Sequence, residues 1–469
     1  MNAMTLSSPP RVQETLGTWV GRLVPDRMPA LGLARNGGPV SSAESGSHAA
    51  LFEGELYNRA QLLATLGVSP EADDAALVLS AYRRWGVDVL REIKGIFALA
   101  IWDGDADRAL LAHDPMATYP LFYADLGHEL LFSSSIDSLL GCEGVSKSLN
   151  RAALADHLCH RWPDREATYF EAVRRIPPCH ALLVERGTRR LHRYWDPAPP
   201  GEPVEWIAEE ELDRFGELFD QAVSRALGLG PVGIFLSGGF DSVSVAAVAA
   251  DNCRSQGLPA PLALSVAFPH PDCNEEDVQR AVAKELGLDQ LMKDMDDAVQ
   301  PHGLLQASCV LQEGRSAPML SYFAPPYLQL AHAARERGYN AVLTGGGGDE
   351  WLCVTPLLAA DLIRHGDIRG LIRHARSMQR SFNLPARDVW RNALWVFGLK
   401  QLLGAATGTA LRRLAPGRLE AHRRGVVQSQ VHDWVAPDAE LRGEMEQRNL
   451  AGWPERPTDG WYLHDLRNG

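Results

Sequence analysis

The sequence predicts two domains of different class: an α+β region built on antiparallel strands, then an α/β region built on a parallel sheet with a helical C-terminal stretch. Three observations carry this. The first region holds short apolar runs separated by turn residues. The second alternates strand-like and helix-like segments. Between them, residues 196–203 read DPAPPGEP, a proline- and glycine-rich linker. The 469 residues suffice for two domains, each with its own core, and the boundary falls at about residue 200.

In chain order, residues 1–50 are rich in Pro, Gly and Ser and give weak strand signals. ALFEGELYN at 50–58 alternates like a half-buried strand, and Asn58 to Leu66 reads as a helix. Asp73 and Asp74 precede Ala75 to Trp85, whose apolar spacing suits a helix with acidic groups at its positive end. Ile96–Trp102, Ala109–Ala112, Pro120–Tyr123 and Glu129–Phe132 follow. These are apolar runs separated by Asp103-Gly104-Asp105 and Gly127, as in an antiparallel sheet. Ala181–Val184 and RYWDP at 193–197 close the region. Beyond the linker come a helix at Glu209–Leu227, a buried strand at Val232–Leu236 and a helix at Val243–Arg254. A strand at Leu262–Phe268, helices at Glu275–Leu286 and Ser321–Arg337, and a strand at Ala341–Leu343 complete the alternation. Residues 355–469 read as largely helical.

Composition narrows the function. With 46 Lys+Arg against 59 Asp+Glu the formal charge is −13, which argues against a nucleic-acid partner held on a broad basic surface. Apolar residues at 45% and charged residues at 22% are ordinary globular values and argue against wholesale disorder. The seven cysteines include no CxxC pair and read as reduced thiols, several of them core residues. The N-terminus has no apolar signal core. The apolar stretch from Ala393 to Leu411 is interrupted by Lys400, Gln401 and glycines, so no membrane span is expected. A soluble cytoplasmic protein is the expectation. The basic residues are almost all Arg, with lysine only at 94, 147, 284, 293 and 400.

The chemistry-bearing string is PVGIFLSGGFDS at 231–242: a strand, a glycine loop and a helix start. Gly238 and Gly239 let the backbone approach a polyphosphate. Ser237, Ser242 and the exposed amides at the helix N-terminus supply donors. Asp241 would repel a bare phosphate, so it makes sense with a divalent cation between them. A capped glycine turn is the plain alternative, and the full SGGxDS string after an apolar strand disfavours it. A second site, AVLTGGGGDE at 341–350, again runs a buried strand into a glycine loop ending in carboxylates. Four consecutive glycines cost conformational entropy that a mere turn would not need. Asp349 with Asp241 would hold Mg²⁺ at the carboxyl ends of parallel strands, where such sheets bind ligands.

The SGGFDS string resembles the PP-loop of ATP pyrophosphatases, which bind ATP, adenylate a substrate and release pyrophosphate. It lacks the lysine of the GxxxxGK[ST] loop, so γ-phosphate transfer is not expected. Over nearly its whole length the chain is similar to the asparagine synthetase B superfamily: asparagine synthetases, β-lactam synthetases and lasso-peptide macrolactam cyclases. FEGELYN at 52–58 resembles that family's NGEIYN. The stretch from Trp85 to Asp114 and the segments at 176–180 and 193–196 match its glutaminase-like domain. SGGFDS, TGGGGDE and the segment from Ser265 to Gly287 match its nucleotide and metal loops. The resemblance implies an Ntn-type glutaminase-like sandwich over 1–200 and a PP-loop ATP pyrophosphatase domain over 201–469. It implies ATP and Mg²⁺ as cofactors, with Leu236–Ser242, Ser265 and Gly345–Gly347 at the nucleotide. Asp241, Asp349 and Glu350 would be catalytic.

Departures from the family set the subclass. Its glutamine-using members need a cysteine at the mature N-terminus, as nucleophile and base. Here the sequence opens Met1-Asn2-Ala3-Met4 and the first cysteine is Cys142, so a degenerate first domain without glutamine hydrolysis is expected. An amine already in the substrate would then attack the adenylate. β-Lactam-type synthetases carry Tyr, and asparagine synthetases Glu, where this chain has Gly346. No base acts from that position and a bulky substrate is accommodated, which favours a lasso-type cyclase acting on a precursor peptide. A leader-binding protein and a protease are the implied partners. A ligase for a small molecule, or a non-catalytic relative, are the alternatives.

The family's late lysine has no clear counterpart. Lys400 is the only lysine after 293 and is the candidate cation, although an exposed lysine lying along WVFGLKQLLG accounts for it as well. Arg315, or an arginine among 412, 413, 418, 423 and 424, are the other candidates; that cluster also reads as an exposed helix face. Glu275 and Glu276 fall where the family carries an acidic pair, and a helix cap explains them equally. Asp73 and Asp74 read as caps, Asp114 as structural, and WVAP at 434–437 as packing. The chain ends at Gly469, where relatives are expected to continue into their lysine segment. An arginine has replaced that lysine, a partner chain supplies it, or the chain is cut short.

Overall fold

The computed structural model describes residues 19–23, 40–159, 164–197, 209–299, 303–318, 321–352, 355–382, 384–435 and 438–451. The chain divides into two units, Met1–Asp196 with Gly314–Pro318 and Pro197–Glu313 with Met319–Gly469.

The first unit contains β1 (Gly21–Leu23), β2 (Val40–Ser45), β3 (His48–Leu56), α1 (Arg59–Leu66), α2 (Asp74–Trp85) and α3 (Val89–Glu92). Then come β4 (Gly95–Asp103), β5 (Arg108–His113), β6 (Phe122–Asp125), β7 (Leu130–Ser133), α4 (Ile136–Leu140) and α5 (Arg151–Leu158). Strands β8 (Val173–Arg175), β9 (His180–Glu185) and β10 (Thr188–Arg193) finish it. All pairings are antiparallel, in a six-stranded sheet ordered β10-β9-β5-β4-β3-β2 and a four-stranded sheet ordered β1-β7-β6-β8.

Period-two alternation sorts the strand residues into layers. Leu51, Ala98, Ala100, Leu111 and Leu182 pack toward Tyr123, Leu130 and Phe132 of the smaller sheet. Their neighbours Ala50, Phe52, Phe97, Leu99 and Leu110 pack on Leu77, Val78 and Ala81 of α2. On the far side of the smaller sheet, Phe122, Ala124 and Leu131 meet Ile136 and Leu139 of α4. The result is a helix–sheet–sheet–helix sandwich. Helix α2 starts where the acidic pair predicts: the Asp73 carboxylate accepts from the Ala76 amide at 2.7 Å, and Asp74 pairs with Arg59 at 2.9 Å.

The second unit opens with α6 (Glu209–Leu227), β11 (Val232–Phe235), α7 (Phe240–Gln256), β12 (Leu262–Ala267) and α8 (Glu276–Leu286). It continues with β13 (Gln290–Asp294), α9 (Met295–Ala298), α10 (Gly303–Gln312), α11 (Ala324–Glu336), β14 (Ala341–Leu343) and α12 (Gly348–Leu352). The sheet is wholly parallel, in the order β13-β12-β11-β14. Helices α7 and α8 cover one face through Ala246, Ala250 and Ala283 against Ile234 and Ala263. Leu330 and Ala334 of α11, with Met295, cover the other against Leu262, Leu264 and Val266. After β11 the chain moves outward to β12 and β13, then returns to place β14 on the opposite side. That reversal makes the β11/β14 junction a topological switch point, where sheets of this kind leave a crevice at the carboxyl ends of the strands.

Helices α13 (Leu358–His365), α14 (Ile368–Phe382) and α15 (Ala386–Trp390) follow. A π-helical stretch at Arg391–Leu399 leads into α16 (Lys400–Leu414), α17 (Pro416–Ser429) and α18 (Ala439–Ala451). No helix among the described residues is long and apolar enough to cross a membrane.

Candidate functional site

The loop after β11 is held by its own hydroxyls. Ser242 Oγ accepts from the Ser237 amide at 3.2 Å, lies 3.0 Å from Ser237 Oγ and donates to the Gly239 carbonyl at 3.1 Å. The Gly239 amide in turn donates to Ser237 Oγ at 3.3 Å. These serines, read from the sequence as ligand donors, spend much of their hydrogen-bonding capacity shaping the loop. Gly239 caps α7 without a side-chain acceptor, so the leading amides of that 17-residue helix remain available to an anion. Gly238 sits at φ +90°, and a Cβ there would lie 3.3–3.5 Å from Val278 and Glu275 of the α8 region.

The loop after β14 docks onto the first. A Cβ on Gly345 would lie 2.6 Å from the Ser242 amide nitrogen, and one on Gly348 only 2.2 Å from Cγ of Asp241. Only hydrogen fits at Gly345, which faces backbone, and at Gly348 a methyl would have to turn the Asp241 carboxylate out of its place. The glycine run therefore seats the Asp241 carboxylate against the backbone immediately before Asp349. Among the described residues, no protein cation or donor engages the side chain of Asp241 or Asp349. Two hard carboxylates on the adjoining loops that leave β11 and β14, with no described protein partner on either side chain, form a donor set suited to Mg²⁺. Glu350 differs, because its Oε2 accepts from the Gly347 amide at 3.1 Å and so braces the loop.

Other sequence candidates fall elsewhere. Leu236 is buried in the β11 exit, with its amide bonded to Leu264 O at 2.9 Å. Ser265 is also buried: its hydroxyl donates to Leu236 O at 3.0 Å and accepts from Gln290 Nε2 at 3.0 Å, so it ties strands together and is not presented to a ligand. Phe240 is 92% exposed at the start of α7. Gly346 is exposed, its amide donating to Thr344 Oγ1 at 3.2 Å.

Lys400 stands on the surface, as the plain reading of an exposed lysine expects. It is exposed at the head of α16, and that helix packs chiefly on the π-helical stretch, α13 and α17. Arg315 lies in the segment grouped with the first unit. Arg412, Arg413, Arg418 and Arg424 are exposed, and Arg424 pairs with Glu420 at 3.1 Å within α17. Trp434, read as packing, is 68% exposed and stacks on His432, while its neighbour Val435 is the buried residue. The N-terminal tetrapeptide and residues 452–469 lie outside the described residues.

Sequence reading missed Gln279. It is 3% exposed on α8, with its Nε2 donating to Ser237 O at 3.3 Å and to Val266 O at 3.4 Å. One carboxamide thus straps the glycine loop to the exit of β12. Its Oε1 is buried without a partner, a cost that a core position would normally avoid. A signal was present: Gln279 stands four residues before buried Ala283, on the inward stripe of the helix. Glu275 precedes α8 beside Gly238, exposed and giving no side-chain cap, whereas Glu276 pairs with Arg280 at 2.6 Å.

In the first unit Asp114 is 2% exposed, and its carboxylate accepts from the amides of Phe97, Met116, Thr118 and Tyr119 at 3.0–3.4 Å. It is structural, as the sequence suggests. Glu53 is likewise buried, taking the Trp19 Nε1 hydrogen at 2.9 Å and that of Ser134 Oγ. Burial raises the Cys142, Cys179 and Cys253 thiols above the ordinary cysteine range, so none is poised as a thiolate.

Comparison with known proteins agrees with this geometry. Residues 21–195 match the model of a glutamine amidotransferase domain, and residues 214–459 match the asparagine synthase model. Asparagine synthetase (glutamine-hydrolyzing) 3 of Bacillus subtilis is 31% identical over 226 residues, covering 45% of this chain and 35% of that protein. Amidase chyE of Penicillium rubens is 27% identical over 362 residues, covering 73% of this chain and 52% of that protein. The chain thus spans about a third to a half of the length of these relatives. With the asparagine synthase model matching more than half of its residues, the chain belongs to the asparagine synthase family.

Proposed function

We propose that the chain is an ATP-dependent carbon–nitrogen ligase that adenylates a carboxylate and lets an amine displace AMP. The observation that supports it most is the seating of Asp241 against Gly348, which joins the two glycine loops at the switch point of a parallel sheet. The leading amides of α7 and the Ser237–Ser242 loop take the phosphates of ATP. Asp241 and Asp349 would hold Mg²⁺, which when bound offsets the charge of the polyphosphate. A substrate carboxylate oxygen attacks the α-phosphorus, and the P–O bond to pyrophosphate breaks. The amine nitrogen then attacks the acyl carbon, the C–O bond to AMP breaks, and the nitrogen loses its proton. Amide, AMP and pyrophosphate are the products.

The substrate we infer is a peptide whose own amine closes a ring on an Asp or Glu side chain, making the chain a lasso-type macrolactam cyclase. Gly346 supports this: a Cβ there would meet only Thr344 Oγ1, at 3.3 Å, so the loop offers no base and little bulk at that point. A leader-binding protein and a protease are the partners that such chemistry calls for. The asparagine synthetase relatives favour the second reading, a small carboxylic acid as substrate. The test incubates the full chain with ATP, Mg²⁺ and a candidate peptide, following pyrophosphate and the peptide mass. Peptide-dependent pyrophosphate and a product lighter by one water are expected, both lost in Asp241→Ala. Pyrophosphate release with aspartate but with no peptide would replace the cyclase reading by the small-molecule one.

A further inference from the structure

Helix α14 (Ile368–Phe382) carries Arg369, Arg373, Arg376 and Arg380 at spacings of four, three and four residues. At 100° per residue these fall within about 60° of one another on the helix. All four are exposed, while Leu371, His374, Ala375 and Met378 on the opposite side are buried. The helix contains no acidic residue. Among the described residues, no carboxylate pairs with Arg369, Arg376 or Arg380. The nearby acids are committed: Asp367 accepts from the Gly370 amide at 2.8 Å, Asp361 is buried, and Asp388 pairs with Arg391 at 3.7 Å.

This arrangement works against the helix that bears it. Like charges three and four residues apart repel along its surface, and Arg369 places a cation in the first turn, at the positive end of the dipole. A face adapted only to water would intersperse carboxylates. The surrounding sequence shares the bias: residues 355–435 hold 13 Lys+Arg and 5 Asp+Glu, a charge of +8 in a chain of −13, leaving −21 for all the rest.

We propose that the arginine face of α14 is a docking surface for an acidic peptide segment. Guanidinium groups engage carboxylates through paired hydrogen bonds, and charge complementarity fixes the class of partner. Arg369 to Arg380 spans about 16 Å along the helix axis, which matches about five extended residues. That length favours a short acidic stretch over a nucleic acid, whose phosphates would run on past the patch in a chain otherwise strongly negative.

The inference goes beyond the ligase reading, and binding is measured without ATP, so the two fail separately. The probe is a fluorescent peptide with six consecutive glutamates, added to the full chain and followed by anisotropy. Its glutamine counterpart and a labelled oligothymidine serve as comparisons. The glutamate peptide alone is expected to bind, more weakly as salt rises. The triple variant R369Q/R376Q/R380Q should lose about tenfold in affinity, with its thermal midpoint unchanged. R412Q/R413Q, on α16, should stay within about twofold of the unaltered chain. No binding of the glutamate peptide, tighter binding of the oligothymidine, or an equal loss in R412Q/R413Q would each overturn the proposal.

Discussion

The two units treat their acidic groups in opposite ways. In the antiparallel sandwich, Asp114 accepts from four backbone amides, and Glu53 is closed in by Trp19 and Ser134. In the parallel-sheet unit, Asp241 and Asp349 stand at strand exits with no protein donor among the described residues. A saturated carboxylate holds the chain together, because removing it orphans several buried N–H groups. An uncommitted one in a crevice is a ligand group in waiting. Likeness to a family's site residues in sequence does not separate these cases; hydrogen-bond partners do.

Asp241→Ala should break the comparison most visibly, lowering ATP-dependent pyrophosphate release by about 10²–10³-fold while leaving the urea midpoint unchanged. Retained activity would remove Asp241 from the chemistry. Asp114→Ala should do the reverse in the first unit, costing about 3 kcal/mol in urea unfolding because four amides lose their acceptor. If it unfolded like the unaltered chain, the structural role of Asp114 would be wrong. Gly348→Ala drives a methyl into the Asp241 carboxylate, 2.2 Å from its Cγ, and must turn that carboxylate away or part the loops. Loss of Mg·ATP binding, read by calorimetry, with retention of fold is the expected outcome. Gln279→Met keeps side-chain length but removes both donors to Ser237 O and Val266 O. It should raise the KM for ATP by about threefold to tenfold with little change in kcat, since each long neutral bond contributes about 0.5–1 kcal/mol. An unchanged KM would reduce the strap to packing.

Much of the frame was legible early. β11, β12 and β14 announce themselves as apolar runs, and SGGFDS and TGGGGDE mark the loops that leave two of them. β13 was missed: QLMKD is a half-exposed edge strand whose mixed polarity gives no period. β8 and β10 were missed for the same reason, having few buried residues to pattern. The partners of Ser265 were not legible, because a buried hydroxyl bridging two strands and one offered to a ligand look alike in sequence. The packing of the helix that bears Lys400 was not legible, because scarcity of lysine says nothing about where a helix packs.

What the sequence determined by itself was local. Apolar periodicity set most elements, the proline-rich linker marked the change of architecture, and the glycine strings marked the loops that leave β11 and β14. Tertiary structure decided which polar groups are free. It closed Ser265 with partners distant in sequence, wrapped Asp114 in the amides of its own following loop and of Phe97, braced Glu350 within its loop, placed Gln279 under the glycine loop, and left Asp241 open against Gly348. The physical reason is that a polar group's availability depends on what the fold brings to it, and periodicity carries only the burial of apolar faces.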